Sequence, residues 1–338
     1  NYDYAFLDLQ TKLCLLIFPL LFSSPGYFEN ISLKNIAKAF VLGNIIALAF
    51  CLGRSAYLYI YIRKFIFVFY SARMSVILHP SYFAMYINLA IIFILNQFYA
   101  ERLKHIIKGF YILIFLFFSI GIFLLSSKLG VISYLGNVCL FFIIQMILRK
   151  KYLAEICAIC FIFFITFLSF KLSPTLTERF DNAVNAVSQP VDETKQEESS
   201  ALRTITWKTA FEIISENPIL GVGTGDIKDA LLEKYRLKGM NFPLNSKLNV
   251  HNQFLQTAGT IGIIGLILLL LIFVVPFYIS IKKRNLMLFF FILLTSMNFM
   301  VESMLERQAG VIFFSFFLSL LMFIEKNNKR EETSIEIP

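Results

Sequence analysis

Long apolar runs separated by short polar breaks make up most of this chain, and one polar break, near residues 173–252, is far longer than the others. A helix needs about 17–25 mostly apolar residues to cross a bilayer. The runs are continuous, without the residue-by-residue alternation of a membrane barrel. Nine are legible, at about 9–25, 36–53, 80–99, 109–126, 130–148, 153–172, 253–281, 286–304 and 309–324. The pattern predicts an all-α, polytopic helical membrane protein with about nine spans. Residues 1–172 would hold the N-terminal transmembrane helices, 173–252 an outer helical loop, 253–325 the C-terminal transmembrane helices and 326–338 a tail.

Basic clusters orient the spans. Arg102, Lys104 and Lys108 follow the third run, and Arg149, Lys150 and Lys151 the fifth. Lys282, Lys283 and Arg284 follow the seventh, and Lys326, Lys329 and Arg330 the last. They fall at alternate ends and so on one side, the cytoplasmic one by the excess of Lys and Arg in cytoplasmic loops. His79, Lys128, the whole 173–252 segment and Glu302 to Arg307 then lie outside. Residue 1 also lies outside, as expected if an odd number of spans precedes an N-terminus that opens on Asn without a start Met or signal peptide. Residues 54–79 resist this scheme. They carry Arg54, Arg63, Lys64 and Arg73 with no acid between Glu29 and Glu101. Either 55–78 is an extra span that flips the upstream topology, or it is an aromatic-rich interfacial segment. The second reading is preferred, and its cationic outer surface would suit an anionic lipid-linked substrate or ordinary headgroup anchoring.

Within the long polar segment, Leu176, Phe180, Val184 and Val187 share one helical face. The acidic stretch 189–199 reads as an exposed loop. Ser200 is placed to cap a helix running to about Glu216, with an apolar stripe of Trp207, Ala210, Phe211 and Ile214, and Pro218 stops it. Asp226 is read as the cap of a further short helix carrying Ile227, Leu231 and Tyr235. The expectation is a small helical subdomain on the membrane surface.

Composition sharpens this picture. Of 338 residues, 58% are hydrophobic and 39 are Phe, with a mean hydropathy of +0.72, where soluble domains are about 45–50% apolar. The net charge of +9 is accounted for by the cytoplasmic loops, so no nucleic-acid partner is inferred. All five cysteines lie in apolar runs. Cys157 and Cys160 form a C-x-x-C without other ligands nearby, which reads as helix packing.

His251 is the strongest candidate for chemistry. It sits where the polar segment enters the seventh run, at a helix N-terminus that favours an anion and a neutral imidazole. The ordinary alternative is a polar interfacial cap. Arg203, four residues before Trp207, can meet phosphate with paired donors, or simply be a solvated face. Lys128, in Ser126-Ser127-Lys128-Leu129-Gly130, can bind phosphate as a point charge or snorkel to the interface. His79, before Pro80 and Ser81, is a helix-entry residue or part of the outer site. Asn252 follows His251, and Glu302, Glu306 and Arg307 cluster at an outer turn, where they either pair with each other or line the cavity. Gly221-x-Gly223-x-Gly225-Asp226 has neither a preceding strand nor a following Lys-Ser or Lys-Thr, so it reads as a tight turn rather than a nucleotide loop. Gly259, Gly262 and Gly265 read as sites of close helix packing. No metal-ligand set and no nucleophilic serine motif stands out.

Taken in order, His79-Pro80-Ser81-Tyr82-Phe83, Ser126-Ser127-Lys128-Leu129-Gly130, Arg203 with Trp207, Asn217-Pro218-Ile219-Leu220-Gly221-Val222-Gly223, and His251-Asn252-Gln253-Phe254-Leu255 with Gly262 resemble the O-antigen ligase and polymerase superfamily of bacterial envelope glycan enzymes. The resemblance covers roughly residues 75–325. It implies a GT-C-like membrane glycosyltransferase in the bacterial inner membrane, with its active site on the periplasmic face and roughly three spans upstream of this chain. It further implies an inverting transfer, without metal or other cofactor, from a polyprenyl-diphosphate-linked glycan to an acceptor hydroxyl. Arg203 and His251 match the family's Arg and His, whereas Lys128 stands where the family usually has Arg. His251 and Arg203 are thus the expected catalytic residues, and Lys128, His79, Asn252, Glu302 and Arg307 the expected substrate-binding ones. The first reading is a ligase acting on lipid A–core, with membrane lipids as further partners. A polymerase of lipid-linked repeat units and a protein O-oligosaccharyltransferase are the enzyme alternatives. A transporter or flippase is the alternative from another class, although transporters usually keep polar residues near the midplane.

Overall fold

The computed structural model describes residues 1–24, 32–63, 65–100, 103–188 and 199–323. Glu29, Lys64, Glu101, Arg102, nearly all of the acidic stretch (189–198) and the tail with Lys326, Lys329 and Arg330 lie outside the described residues. In chain order the helices are α1 (Tyr2–Lys12), α2 (Cys14–Ser23), α3 (Leu33–Tyr57), α4 (Ser71–Met74), α5 (Pro80–Ala100), α6 (His105–Leu125), α7 (Lys128–Arg149) and α8 (Tyr152–Leu172). They continue with α9 (Pro174–Ser188), α10 (Ser199–Glu216), α11 (Ile227–Leu237), α12 (Asn241–Asn245), α13 (Gln253–Lys282), α14 (Leu286–Phe299) and α15 (Gln308–Phe323). No strand occurs among the described residues, and the protein is an all-α polytopic membrane protein.

Among the described residues, seven helical stretches are long and apolar enough to cross a membrane: Tyr2–Ser23, Leu33–Ile62, Pro80–Tyr99, His105–Leu125, Lys128–Arg149, Tyr152–Leu172 and Gln253–Lys282. α14 and α15 are apolar but shorter, at 14 and 16 residues. α14 stops at Phe299, short of the apolar run's end, because the next residues form a turn whose carbonyls are taken up by neighbouring side chains. Among the described residues of 55–78 there is no additional spanning helix. After α3 it passes through a π turn (Leu58–Arg63), a 3₁₀ turn (Ile66–Phe69) and the one-turn α4.

The chain divides into two compact units, Ser32–Asp181 and Asn1–Ile31 with Asn182–Pro338. In the first, α5 is the most buried span, packed by α3, α6 and α7. Its Asn88 donates to the Gly130 carbonyl at 3.1 Å, so a buried amide ties α5 to the start of α7. On α8, Cys157 and Cys160 are exposed rather than packed. That corrects the packing expectation, since the face they occupy turns away from the rest of the unit. Neither forms a disulfide.

In the second unit, α13 packs on α14 and α10, and α15 on α2 and α14. Rings of Phe273, Phe299 and Phe314 meet at 5.0–5.3 Å between centroids, separations at which aromatic pairs attract beyond their area burial. The polar segment builds a small core of its own from Ile205, Ala210, Ile213, Ile227, Leu231, Tyr235, Met240 and Val250. The α11 face of Ile227, Leu231 and Tyr235 is buried as expected, but α10 is rotated from the expected stripe. Ile205, Thr206, Thr209, Ala210 and Ile213 face inward, and Phe211 is 57% exposed. Two buried threonines, whose hydroxyls bond to the carbonyls of Val250 and Ile205, hide the true face from a hydrophobic pattern. Ser200 lies inside the first turn of α10 rather than capping it.

Candidate active site

α13 begins at Gln253, and the residues before it are built to hold one side chain. Asn252 is its N-cap, accepting from the Leu255 N–H at 3.1 Å, a contact of the kind worth about 1 kcal/mol to a helix. The Asn252 amide donates in turn to the Met300 carbonyl at 2.9 Å. His251 has φ of +52°, a left-handed conformation that costs a non-glycine residue energy and recurs at functional sites. Three contacts fix it. Its N–H donates to Asn249 Oδ1 at 3.1 Å. Its carbonyl accepts from the Trp207 indole at 3.4 Å. The preceding Val250 carbonyl accepts from Thr206 at 3.0 Å.

Opposite stands the turn after α14. Arg203 Nε donates to the Val301 carbonyl at 3.0 Å, and Gln253 Oε1 accepts from the Leu305 N–H at 2.7 Å. Arg203, Asn252 and Gln253 therefore clamp residues 300–305 against α10 and α13. The clamp brings Glu302 Oε1 to 3.3 Å from His251 Nδ1. Glu302 is buried, and the pair is close without being aligned as a hydrogen bond. Such contacts often tighten only when substrate binds. His251, Asn252, Arg203 and Glu302 thus come together at one turn.

Arg307 lies in the same connection between α14 and α15 but is exposed. Glu306 pairs with Lys12 of α1. It accepts from Lys12 Nζ at 2.9 Å, and Lys12 reaches Asp8 at 2.7 Å. Burial raises the Glu306 carboxyl above its ordinary range, with the Lys12 ammonium opposing and Asp8 adding to the rise. Asp8 and Lys12, at i and i+4 on α1, were missed in the sequence, because a lone acid and base at the edge of an apolar run look like interfacial residues.

His79 and Lys128 belong to the other compact unit. His79 is exposed at the entry to α5, where its Nδ1 accepts from the Ser81 N–H at 3.4 Å and its carbonyl accepts from Phe83. Lys128 opens α7. Ser126 ends α6 in a left-handed conformation and Ser127 caps α7, accepting from the Gly130 N–H at 3.2 Å. A cation in the first turn opposes the helix dipole, so helix stability does not account for Lys128. If it binds diphosphate, Lys128→Arg keeps most activity and Lys128→Ala loses affinity for a carrier-linked donor in saturation curves. Full activity of the Ala variant at limiting donor would make it an anchor only.

The Asn217–Gly223 motif has a role that its glycines did not reveal. α13 is broken at Ile261 (φ −127°, ψ 21°) and Gly262 (φ 66°, ψ −163°). Carbonyls of Gly259 and Thr260 are freed there, and the N–H groups of Val222 and Gly223 donate to them at 2.9 Å each. The Ile263 N–H donates to the Pro218 carbonyl, also at 2.9 Å. The motif is a strap that completes the hydrogen bonds of a discontinuous helix, the condition under which a break is tolerated. Asp226 stands at the N-cap position of α11 without making a side-chain cap bond, which corrects that part of the reading.

Residues 113–270 match the family model described as O-antigen ligase. The stretch belongs to the O-antigen ligase superfamily. It includes Lys128, Arg203, the strap, His251 and the break in α13. The match supports an O-antigen ligase- or polymerase-type enzyme acting on glycans in a membrane context. No curated protein is similar in sequence.

Proposed function

We propose that the protein is an O-antigen ligase that transfers a glycan from a polyprenyl diphosphate carrier to a hydroxyl of lipid A–core, by inversion, on the periplasmic face of the bacterial inner membrane. The observation that carries this reading is the approach of Glu302 to His251, with His251 and Arg203 inside the stretch that matches the family model. In the proposed step, His251 Nε2 takes the proton of the acceptor hydroxyl while Glu302 orients the ring through Nδ1. The hydroxyl oxygen forms the new glycosidic bond as the bond to the diphosphate breaks, and the diphosphate departs with the electron pair. Arg203 offsets the charge that develops on the leaving group, the role for which fixed cations are most effective, and Lys128 is proposed to bind phosphate. Asn252 holds the start of α13, and Arg307 is proposed to contact substrate beside it, while His79 is proposed as a substrate-binding residue of its own unit. The protein would be GT-C-like, with 173–252 as its periplasmic loop and 1–172 and 253–325 as membrane domains.

The superfamily supports polymerase chemistry equally, and one experiment separates the two. In a deletion strain examined by lipopolysaccharide gel, loss of banding on lipid A–core with intact carrier-linked polymer is the expected result. A single repeat unit left on the core would assign the protein as the polymerase. Unchanged lipopolysaccharide would overturn both.

A further inference from the structure

Between α3 and α5 the chain folds against the start of α9, and a cavity of about 410 Å³ opens there. Phe65, Phe67, Tyr70, Arg73, Thr175 and Glu178 are on its wall. The Arg73 guanidinium lies 5.5 Å from the Phe65 ring centroid, and the Arg73 carbonyl accepts from Arg54 at 3.2 Å. A second guanidinium is fixed close by, because Arg179 donates to the hydroxyl of the lining residue Ser71, whose φ is +53°. The Thr175 hydroxyl is buried without a hydrogen-bond partner, which costs about 1–3 kcal/mol unless a ligand supplies one.

A neighbouring cavity of about 360 Å³ shares Ala72 and Arg73; beyond them its wall is Arg54, which holds the Arg73 carbonyl, and the apolar Leu58, Ile62, Val68 and Val76. Ile62, Ile66, Val76 and Ile77 are also exposed, as side chains facing lipid would be. The same arginine therefore stands between a polar, aromatic pocket and an apolar trough, which is the layout of a lipid's headgroup and chain. The two charge signs narrow the class. A bare anion would meet the Glu178 carboxylate. A quaternary ammonium has no N–H to give it. A primary ammonium can donate to Glu178 and Thr175 and stack on aromatic rings, while the phosphate meets Arg73.

We propose that this cavity is a headgroup site for a bilayer phospholipid of the ethanolamine class, with phosphate on Arg73 and ammonium at Glu178, Phe67 and Tyr70. The site is independent of the glycan chemistry. Its occupant is a resident lipid that pins the segment between α3 and α5 to the membrane surface.

Native mass spectrometry of the purified full-length protein, titrated with phosphatidylethanolamine, phosphatidylglycerol or polyprenyl phosphate, tests the assignment. The wild type is expected to hold one phosphatidylethanolamine about tenfold more tightly than phosphatidylglycerol, the scale of one charge-assisted contact. Arg73→Gln loses both lipids. Glu178→Gln keeps lipid binding and loses the preference. Should Arg73→Gln fail to fold, Glu178→Gln and Phe67→Leu decide the matter, since both reduce the preference and neither removes the phosphate contact. Soluble O-phosphoethanolamine does not compete, because it lacks the chains for the trough. Equal binding of the two phospholipids by the wild type, an unchanged preference in Glu178→Gln, or displacement by polyprenyl phosphate would each overturn the proposal, the last by assigning the cavity to the carrier.

Discussion

His251→Ala lowers turnover by about 10²–10⁴, the contribution of a positioned general base, and leaves donor binding largely intact. Arg203→Ala has the different signature of a cation that meets the diphosphate before and during bond cleavage, so donor affinity and turnover both fall. Its Nε also holds the Val301 carbonyl, and part of its effect comes from releasing the turn that carries Glu302. Glu302→Gln separates orientation from proton acceptance. It keeps the shape of the side chain and removes the carboxylate 3.3 Å from Nδ1, so it lowers turnover by less than His251→Ala does. The two effects are not additive, because Glu302 acts only through the imidazole, and the double variant is no slower than His251→Ala alone. The measurement is a saturation series with purified full-length enzyme, carrier-linked donor and acceptor. If His251→Ala turns over like the wild type, the base assignment is wrong. If the double variant is slower by the product of the single effects, Glu302 works independently of His251, on the substrate.

Apolar run length reports directly on bilayer thickness, and each of the nine runs contains a helix, seven of them in stretches long and apolar enough to cross a membrane among the described residues and two, α14 and α15, shorter. The site was half legible. His251 and Arg203 stood out as ionisable residues near the ends of helical patterns, whereas Asn252 was expected to bind substrate and its capping of α13 was not foreseen. What periodicity could not give is which carbonyls those side chains would hold. The clamp on residues 300–305 depends on backbone groups at Met300, Val301 and Leu305, which carry no sequence signal. Glu302 was selected as a charge at an outer turn, and its pairing with His251 rather than Arg307 follows only from that clamp. The rotated face of α10 was misread for a related reason. Thr206 and Thr209 count as polar in any hydrophobic pattern, yet both are fully buried with their hydroxyls bonded to carbonyls.

Gly262 was read as a small residue for helix packing, and its real constraint predicts the largest loss of folded protein from any single methyl group. Its φ of 66° and ψ of −163° fall in a region open essentially to glycine alone, where another residue pays about 1–3 kcal/mol in backbone strain. A Cβ there would also collide with the carbonyl oxygen of Ile219, a backbone atom that cannot rotate aside. The collision pushes away the strap, and with it the partners of Gly259, Thr260 and Ile263 at the break in α13. Each buried group left unpaired costs a further ~1–3 kcal/mol. Gly221→Ala acts from the other side, since its φ is +68° and its Cβ would lie 2.5 Å from the Thr260 carbonyl. Gly136→Ala is the control, because a Cβ at that position in α7 meets nothing within 4 Å and alanine favours a helix by roughly 0.5–1 kcal/mol over glycine. Detergent-solubilised variants compared by size-exclusion profile and thermal aggregation are expected to rank with Gly262→Ala lowest, Gly221→Ala next, and Gly136→Ala at or above the wild type. Normal folding of Gly262→Ala would mean that α13 runs through residue 262 as a continuous helix. The strap would then have no break to complete, and the clamp at the start of α13 would lose its fixed base.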